Sequence, residues 1–234
     1  MELADDERVR IFDAAALALD FNAPLGTARA KRLASVVQEY QPATIVDLGC
    51  GTGTLARMVA EALPGSEVRG LDRNPVLIEA ATNRSDSIGI SFEVADATSW
   101  IGPDEAAICI GASHIFGGAA GMFDALARGV PRGIAVVGEG IWQKVPDPWC
   151  RDAFGQLPAN SSELGTLAES YGWSVASAAS SDLDEWDAFE REWCAGARSE
   201  GSEAARSFAD HRAEEYERYR GVLGFCWLVL ERVM

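Results

Sequence analysis

Histidine, closely spaced cysteines and long apolar runs are scarce in this sequence of 234 residues. The two histidines, His114 and His211, lie far apart, which argues against a histidine-rich metal site. The cysteines are scattered, so we expect reduced thiols rather than a zinc site or a redox dithiol. Their positions are Cys50, Cys109, Cys150, Cys194 and Cys226. We therefore expect no bound metal.

No apolar run reaches the length of about 20 residues that a membrane helix needs. The first ten residues are charged and precede no apolar signal core. These absences predict a cytoplasmic protein. The hydrophobic content of 48% is enough to bury the core of one α/β domain over residues 1–234.

Positive charge is also in short supply. The chain has 20 lysines and arginines against 36 aspartates and glutamates, which gives a formal net charge of −16. Such a surface repels phosphate backbones and anionic lipid headgroups. We therefore expect no nucleic-acid or membrane partner, and a monomer or homodimer that acts on a small molecule.

Apolar strand-like runs alternate with helical or glycine-rich stretches through the middle of the chain. This alternation predicts an α/β fold with a parallel sheet and helices on both faces. The predicted strands are 44–48, 67–71, 90–94, 106–110 and 133–137. Residues 1–41 are predicted to form N-terminal helices, interrupted at Pro24 and resuming at Thr27 as a cap, and 42–180 to form the core.

The pattern loosens after Val137. The stretch 138–150, GEGIWQKVPDPWC, resembles a loop, and a helix over 162–171 and a strand over 173–179 are predicted to follow it. Residues 181–220 are highly charged with helical composition, and Gly196 and Gly201 are the expected breaks. An apolar last strand is predicted within 221–234.

The most informative motif is VDLGCGTGTLA at 46–56, where a predicted strand runs through an acidic residue into three glycines before a helix. Such a turn lets a ligand approach bare backbone and offers the free N–H groups of a helix N-terminus. A dinucleotide turn of the NAD type would need G-x-G-x-x-G, and Thr54 occupies its third glycine position. The leading Asp47 also disfavours a pyrophosphate and suits a cation.

The string from Asp47 to Gly53 resembles motif I of class I S-adenosylmethionine-dependent methyltransferases. This resemblance implies S-adenosylmethionine as cofactor and a Rossmann-like sheet of seven mostly parallel strands, with an antiparallel last strand and helices on both faces. The likeness covers about 44–137 well and the remainder only in architecture. Within the motif it implies cofactor binding by Asp47, Gly49, Cys50, Gly51 and Gly53.

Two further acids follow successive predicted strands. Asp72 could accept both hydroxyls of a ribose, a feature that NAD enzymes share. Asp96 resembles the acid that meets the adenine amine in methyltransferases, with the Ala97 backbone beside it. Either carboxylate alone is more often a solvated loop residue, but together they indicate one adenosine site. Arg73, Ile110 and Gly111 complete the predicted cofactor residues.

The segment after the fourth strand reads ICIGASHIFGG. It departs from the N/D-P-P-Y/F string of methyltransferases that act on bases or glutamine, which again favours a small-molecule acceptor. His114 is the candidate catalytic base, and a hydrogen bond to the loop backbone is an equally good interpretation. Glu139, after the fifth strand, is the second catalytic candidate because its carboxylate could hold an amine or hydroxyl.

Trp142 could pack against substrate or a sulfonium, although packing within its own loop is the simpler role. In the resemblance, 181–220 leaves and returns at the ligand edge and so implies a helical lid. Trp186, Phe189 and Trp193 form an apolar stripe on it, which usually docks a helix on a core; contact of this stripe with substrate, Trp186 above all, is the alternative. Tyr216, Tyr219 and Arg220 precede the last strand near the expected pocket mouth, and Phe21 and Arg29 are weaker candidates from the N-terminal helices.

The leading hypothesis is therefore methyl transfer from S-adenosylmethionine to an O or N nucleophile of a small molecule. One alternative is a thiol or arsenic methyltransferase that captures its substrate with Cys150 and Cys194. A catalytically silent cofactor-binding module and a nicotinamide oxidoreductase are the others, and the glycine spacing and Asp47 disfavour the last.

Overall fold

The computed structural model describes residues 4–85 and 89–233. The parts of the predicted segments that fall on residues 1–3, 86–88 and 234 lie outside the described residues. The helices of the described chain are α1 Asp5–Ala18, α2 Thr27–Glu39, α3 Thr54–Ala62, α4 Pro75–Asn83, α5 Ala119–Gly129, α6 Pro148–Phe154, α7 Ser161–Ser170, α8 Leu183–Ser199 and α9 Glu203–Tyr219.

One sheet of seven strands has the order β3-β2-β1-β4-β5-β7-β6. Its strands are β1 Thr44–Leu48, β2 Glu67–Asp72, β3 Ile90–Val94, β4 Ala106–Ile110, β5 Ile134–Trp142, β6 Trp173–Ser180 and β7 Leu223–Arg232. Only β7 runs antiparallel to its neighbours, β5 and β6. The predicted Rossmann-like fold is confirmed, because parallel strands linked through helices give this topology.

The core lies on both faces of the sheet because consecutive strand residues point to opposite sides. On one face Ile134 and Val136 of β5 pack in the same buried cluster as Leu33 of α2 and Val59 of α3. On the other face Val137 packs with residues of α5 and α7. With both faces covered by helices, ligands can reach this sheet only at its edges.

Two sequence predictions about the later part of the chain are wrong. The fifth strand does not end at Val137 but runs to Trp142, because the ten-residue β7 pairs with it as far as Trp142 opposite Leu223. Glu139 and Trp142 therefore belong to a strand rather than to a loop after it. The stretch 138–150 also contains the start of α6, which is N-capped by Asp147.

Gly196 does not break the helix predicted around it. α8 continues through this position, where a side chain would meet Ala18 at 2.7 Å and the Cα of Ala15 at 2.9 Å. Gly196 is therefore a close-packing position between α8 and α1. The break falls at Gly201, which has a φ of +94°. At the start of α2 the N-cap is Gly26, and Thr27 is the first helical residue.

α8 and α9 pack against α1 around a small apolar core of their own. Trp193 is 4% exposed, and its ring meets Phe12 of α1 edge to face with centroids 5.3 Å apart. Trp193 also carries the guanidinium of Arg212 at 3.9 Å from its ring centroid. This part of the predicted apolar stripe thus docks the helices to each other and to α1.

Candidate functional site

The glycine turn after β1 is held against the end of β2. Gly49, Gly51 and Gly53 have φ values of +75°, +55° and +71°, a region that L side chains rarely adopt. The Gly49 N–H donates to the Leu71 carbonyl over 2.8 Å, and the Gly51 N–H donates to Asp72 Oδ2 over 3.0 Å. The backbone of the glycine turn therefore lies at the carboxyl edge of the sheet, where open α/β sheets bind ligands.

A cavity opens beside this turn. We call it the strand-edge cavity. Its walls come from the glycine turn, from residues 20–25 between α1 and α2, from Leu77 of α4 and from the end of β4. The predicted cofactor residues that line it are Asp47, Gly49, Cys50, Gly51 and Ile110. A Cβ at Gly51 would meet no atom within 4 Å, so the backbone there faces open space.

Asp47 contributes a carboxylate at the floor of the strand-edge cavity and is 4% exposed. Burial, with the nearby charge of Asp72, raises its pKa to about 7. A buried carboxylate of this kind favours a positively charged ligand, because the ligand's charge offsets the cost of ionising the acid away from water.

Asp72 ends β2 and organises the turn. Besides accepting from Gly51, its other oxygen, Oδ1, accepts from the Asn74 N–H over 2.9 Å. A carboxylate oxygen can accept more than one hydrogen bond, so both oxygens retain capacity for ligand hydroxyls. Asn74 in turn caps α4 through the Val76 N–H.

Asp96 lies two residues past the end of β3 and is exposed. Its Oδ1 accepts from the Thr98 N–H over 2.8 Å and from the Thr98 hydroxyl over 2.7 Å. These hydrogen bonds hold the pKa of Asp96 below its usual value, and the charge of Arg73 acts in the same direction. Asp96 is thus fixed as a carboxylate beside the buried Ala97, with Oδ2 outside both hydrogen bonds.

His114 and Glu139 are brought near each other at the ends of β4 and β5. His114 lies in a short 3-10 helix, Ser113–Phe116, which follows Gly111. Glu139 is 8% exposed, and its Oε1 accepts from the Gly140 N–H over 2.9 Å, while its Oε2 is buried without a partner among the described residues. Burial raises the pKa of Glu139, whereas the Ser113 hydroxyl and the charge of His114 favour its ionised form.

Neither His114 nor Glu139 lines the strand-edge cavity. His114 is exposed at the surface of the loop. The place of this pair after the two strands follows from the sequence, whereas the influence of Ser113 on Glu139 had no signal in it.

The four aromatic residues predicted to face substrate meet in one buried group with Phe154. Tyr219 lies at its centre, with ring centroids 4.8 Å from Phe154 and 6.3 Å from Trp186. The Tyr219 hydroxyl donates to Glu190 over 2.7 Å. Trp142 packs on Phe154, and Tyr216 packs on Tyr219. None of the four lines the strand-edge cavity, and their rings join α8 and α9 to the end of β5 and to α6.

The segment between α1 and α2 contributes more to the site than the sequence indicated. Asp20, Phe21, Asn22, Ala23 and Leu25 all line the strand-edge cavity, and only Phe21 was a candidate. The stretch DFNAPLG shows that a helix is interrupted, but its apposition to the glycine turn depends on tertiary packing. Arg29, the other weak candidate, is paired with Glu185 on α8 at 2.7 Å.

Three further findings concern the cysteines, metal ligands and membrane helices. Cys150 and Cys194 are 1% and 3% exposed, so neither thiol is placed to capture a substrate as the thiol or arsenic alternative requires. Across residues 4–85 and 89–233 no group of three or more histidine, cysteine, aspartate or glutamate side chains could hold a metal ion. No helix in the same ranges is both long and apolar enough to cross a bilayer.

Comparison with known proteins gives consistent results. Residues 45–132 match the model of a methyltransferase domain family. The chain is 28% identical over 170 residues to the uncharacterised protein YjhP of Escherichia coli, covering 66% of this chain and 67% of that protein. It is 41% identical over 63 residues to a trans-aconitate 2-methyltransferase of Streptomyces avermitilis, but this covers only 25% of this chain and 23% of that enzyme.

A crystal structure of an S-adenosylmethionine-dependent methyltransferase from Geobacter sulfurreducens in complex with S-adenosylhomocysteine superposes with a TM-score of 0.81. It is 26% identical, and the alignment covers 95% of this chain and 98% of that one. The matched family region contains β1 from Ile45 onward, the glycine turn, Asp72 and Asp96. Over residues 45–132 the chain is thus similar to the methyltransferase domain family, and along nearly its whole length it has the fold of that S-adenosylmethionine-dependent methyltransferase.

Proposed function

We propose that this protein transfers the methyl group of S-adenosylmethionine to an oxygen or nitrogen nucleophile of a small molecule. The observation that carries the proposal is the strand-edge cavity, where a glycine turn with open backbone lies beside a buried carboxylate at the carboxyl edge of the sheet. S-adenosylmethionine supplies an electrophilic methyl carbon on a sulfonium, which bonds to the nucleophile as the carbon–sulfur bond breaks and sulfur keeps the electron pair.

The residues present fit this cofactor. We assign the ribose hydroxyls to the oxygens of Asp72, which is fixed by its bonds to Gly51 and Asn74. The adenine amine is assigned to Oδ2 of Asp96, with the Ala97 backbone and Arg73 alongside. The cationic end is assigned to the neighbourhood of Asp47, whose carboxylate benefits from a positive partner.

The walls of the cofactor site are assigned to backbone and apolar groups. Gly49, Cys50, Gly51 and Gly53 offer the turn against which the cofactor lies, and Ile110 and Gly111 close it from the end of β4. Cys50 is not a nucleophile in this proposal, because burial raises the pKa of its thiol. The thiol therefore stays protonated and acts as a wall group.

A small-molecule acceptor is supported by the net charge of −16, which disfavours nucleic acid, and by the absence of the N/D-P-P-Y/F string after β4. The matched relatives named trans-aconitate 2-methyltransferases also point to a small molecule. Their matches span less than a third of those enzymes, so the acceptor itself is not transferred to this chain.

We assign the proton of the nucleophile to a ring nitrogen of His114. The Glu139 carboxylate lies close enough to His114 to interact with it and would stabilise the imidazolium that forms. Since both groups lie outside the strand-edge cavity, the acceptor must reach them from the side of β4 and β5. Alignment of nucleophile and methyl group supplies much of the remaining rate enhancement.

The direct test is calorimetric titration with S-adenosylhomocysteine and, separately, NADH. Binding of S-adenosylhomocysteine with no heat from NADH is expected, and the reverse would overturn the cofactor assignment. Once an acceptor is found, His114→Ala should lower turnover by about a hundredfold while S-adenosylhomocysteine affinity stays near wild type. Unchanged turnover would contradict the catalytic role of His114 and leave it as a surface residue of the loop.

A further inference from the structure

Asp47 is a buried acid that the protein itself leaves unpaired. Its side chain lies at the floor of the strand-edge cavity, and it is 4% exposed. Among residues 4–85 and 89–233, no group donates a hydrogen bond to its carboxylate, and no lysine, arginine or histidine forms an ion pair with it. A buried carboxylate without such a partner is costly, because it has lost the water that stabilises its charge.

The acidic and thiol groups around Asp47 supply no positive charge. On β2, the carboxylate of Asp72 repels a negative charge on Asp47. On the glycine turn and on β4, the thiols of Cys50 and Cys109 are kept protonated because burial raises their pKa. The segment between α1 and α2 brings another acid, Asp20, into the wall of the cavity. None of these groups therefore stabilises an ionised Asp47.

The basic residue of the neighbouring α3, Arg57, is engaged elsewhere. Its guanidinium donates to the Thr52 carbonyl over 2.7 Å and to the Thr54 hydroxyl over 2.9 Å. From α1 and α4, the residues that line the cavity are the apolar Ala16 and Leu77. Within the described part of the chain, no lysine, arginine or histidine lines the strand-edge cavity. The counter-charge for this site must therefore come from outside the protein.

A proton or a cationic ligand can neutralise the buried carboxylate. Burial and the charge of Asp72 together raise the pKa of Asp47 to about 7, so its two forms lie close in free energy near neutral pH. A positive charge brought into the cavity favours the carboxylate, and removal of that charge favours the protonated acid. The charge of the molecule in the cavity therefore decides which form of Asp47 is present.

S-adenosylmethionine and S-adenosylhomocysteine differ in this charge. Both carry the same ammonium and carboxylate at the amino-acid end, so these groups affect Asp47 equally in the two complexes. Only S-adenosylmethionine carries a further positive charge, on its sulfonium. Loss of the methyl group turns the sulfonium into a neutral thioether, so the net charge of the molecule in the cavity falls by one.

We propose that Asp47 exchanges the sulfonium charge for a proton in each reaction cycle, being ionised beside S-adenosylmethionine and protonated beside S-adenosylhomocysteine. The inference rests on the proposed function and deepens it by assigning to Asp47 the distinction between methyl donor and product. The nucleophile bonds to the methyl carbon, the carbon–sulfur bond breaks and sulfur keeps the electron pair. The proton of the acceptor leaves through His114, and solvent supplies the proton that neutralises Asp47. That proton returns to solvent when the next S-adenosylmethionine binds.

This exchange makes the choice between the two ligands depend on pH. Above about pH 7, Asp47 is ionised in the ligand-free protein, so the sulfonium meets its counter-charge directly. Below that pH, S-adenosylmethionine must displace a proton in order to bind, whereas S-adenosylhomocysteine need not. The affinity for S-adenosylmethionine relative to S-adenosylhomocysteine should therefore rise about tenfold between pH 6 and pH 8. Inhibition by the product is correspondingly strongest in acid.

The test counts the protons released on binding. S-adenosylmethionine and S-adenosylhomocysteine are each titrated calorimetrically into the full chain at pH 6, in two buffers whose heats of ionisation differ. The dependence of the observed heat on the buffer gives the number of protons released. S-adenosylmethionine is expected to release at least about half a proton more than S-adenosylhomocysteine. Equal release by the two ligands, or greater release by S-adenosylhomocysteine, would overturn the proposal.

Variants assign the proton to Asp47. Asp47→Asn keeps the shape of the side chain but cannot ionise, so it should abolish both the difference in proton release and the pH dependence of the relative affinity. Asp152→Asn, the same chemical change on the exposed surface of α6, is the matched control and should retain both. A difference that survives in Asp47→Asn, or is lost in Asp152→Asn, would overturn the assignment. A wild-type affinity ratio that is unchanged between pH 6 and pH 8 would overturn it even if Asp47→Asn fails to fold.

The same titrations separate the two proposals. If neither ligand binds, the proposed function fails. If both bind with equal proton release, the cofactor assignment stands and only the exchange at Asp47 fails. The measurements concern binding alone, so neither result depends on finding the natural acceptor.

Discussion

The carboxylates of this protein have different partners in two regions of the molecule. In α8 and α9 several of them are paired with guanidinium groups, as Glu190 is with Arg212 over 2.8 and 2.9 Å. At the ends of the first three strands, no lysine or arginine of the described residues lies within ion-pair distance of the acids, which are Asp47, Asp72 and Asp96. The same functional group therefore holds helices together in one region and is left available in the other.

The difference follows from the cost of burying a charge. A carboxylate removed from water must find a partner, and a protein that only needed stability would supply an arginine. Asp47 is 4% exposed and has no such partner, so its pKa is raised instead. An unpaired acid at the ligand edge of a sheet is thus better explained by a ligand than by the fold. Four substitutions test this division.

Breaking a pair within the helices should cost the most stability. Arg212→Met removes the partner of Glu190, which is 3% exposed, and should lower the free energy of unfolding by about 3 kcal/mol, because a buried charge is left unpaired. Thermal denaturation measures this loss of stability. Arg198→Met, which breaks the exposed pair with Asp210, is the control and should cost less than about 1 kcal/mol. Equal losses in the two variants would contradict the view that the buried pair stabilises the fold more than the exposed pair does.

At the strand ends, Asp72→Ala should weaken ligand binding rather than the stability of the fold. It removes the proposed ribose acceptor and the group that fixes Gly51, so the affinity for S-adenosylhomocysteine should fall about a hundredfold, or about 2.7 kcal/mol. Titration calorimetry provides the measurement, with Arg212→Met as the reciprocal control that should retain affinity. An unchanged dissociation constant for Asp72→Ala would refute the ribose assignment.

Glu185 belongs to both regions, since it pairs with an arginine and also holds a wall of the ligand site. Glu185→Ala should free the Gly26 end of the segment that lines the strand-edge cavity and weaken S-adenosylhomocysteine binding about tenfold, with a modest loss of stability. If affinity is untouched while the melting temperature falls, Glu185 is a structural residue only. Glu214→Gln, on the exposed face of α9, is the control for overall charge.

The smallest effect is expected from Asp47 and depends on pH. Its folded-state pKa of about 7 lies above the ordinary value of 3.8, so the folded state holds this proton more tightly than the unfolded state. Stability from the protonated form is present below about pH 4 and is lost as pH rises to about 7. Asp47→Asn should therefore raise the melting temperature of the ligand-free protein by a few degrees at pH 8 and hardly at all at pH 4. A gain independent of pH would contradict the assigned cause.

The arrangement of the proposed cofactor region along one edge of the sheet could be predicted because its signals are local. The glycine turn, Asp72 and Asp96 each follow a strand within a few residues, and parallel strands bring their carboxyl ends together whatever the rest of the chain does. Spacing along the sequence was therefore enough to predict which residues would meet at one edge.

The remainder depended on contacts between distant segments. β5 extends to Trp142 only because β7 lies against it, and Gly196 stays helical because α1 packs on it. The aromatic residues of α8 and α9 could be assigned to a helix face by their spacing, but not to a partner. No local pattern could place residues 20–25 beside the strand-edge cavity, since Glu185, far along the chain, binds the backbone of the adjoining Gly26.

The placement of β7 has a consequence for how the molecule assembles. β7 lies between β5 and β6, and among residues 4–85 and 89–233 β6 forms its sheet hydrogen bonds only with β7. During synthesis β6 therefore emerges with no strand to join, and β5 presents an open edge until the segment after α9 arrives. Closure of the sheet is a late, long-range event, the kind of pairing that slows folding and leaves strand edges open to other chains. In that interval, before β7 pairs with β5 and β6, the nascent chain is most exposed to pairing with strands of other chains.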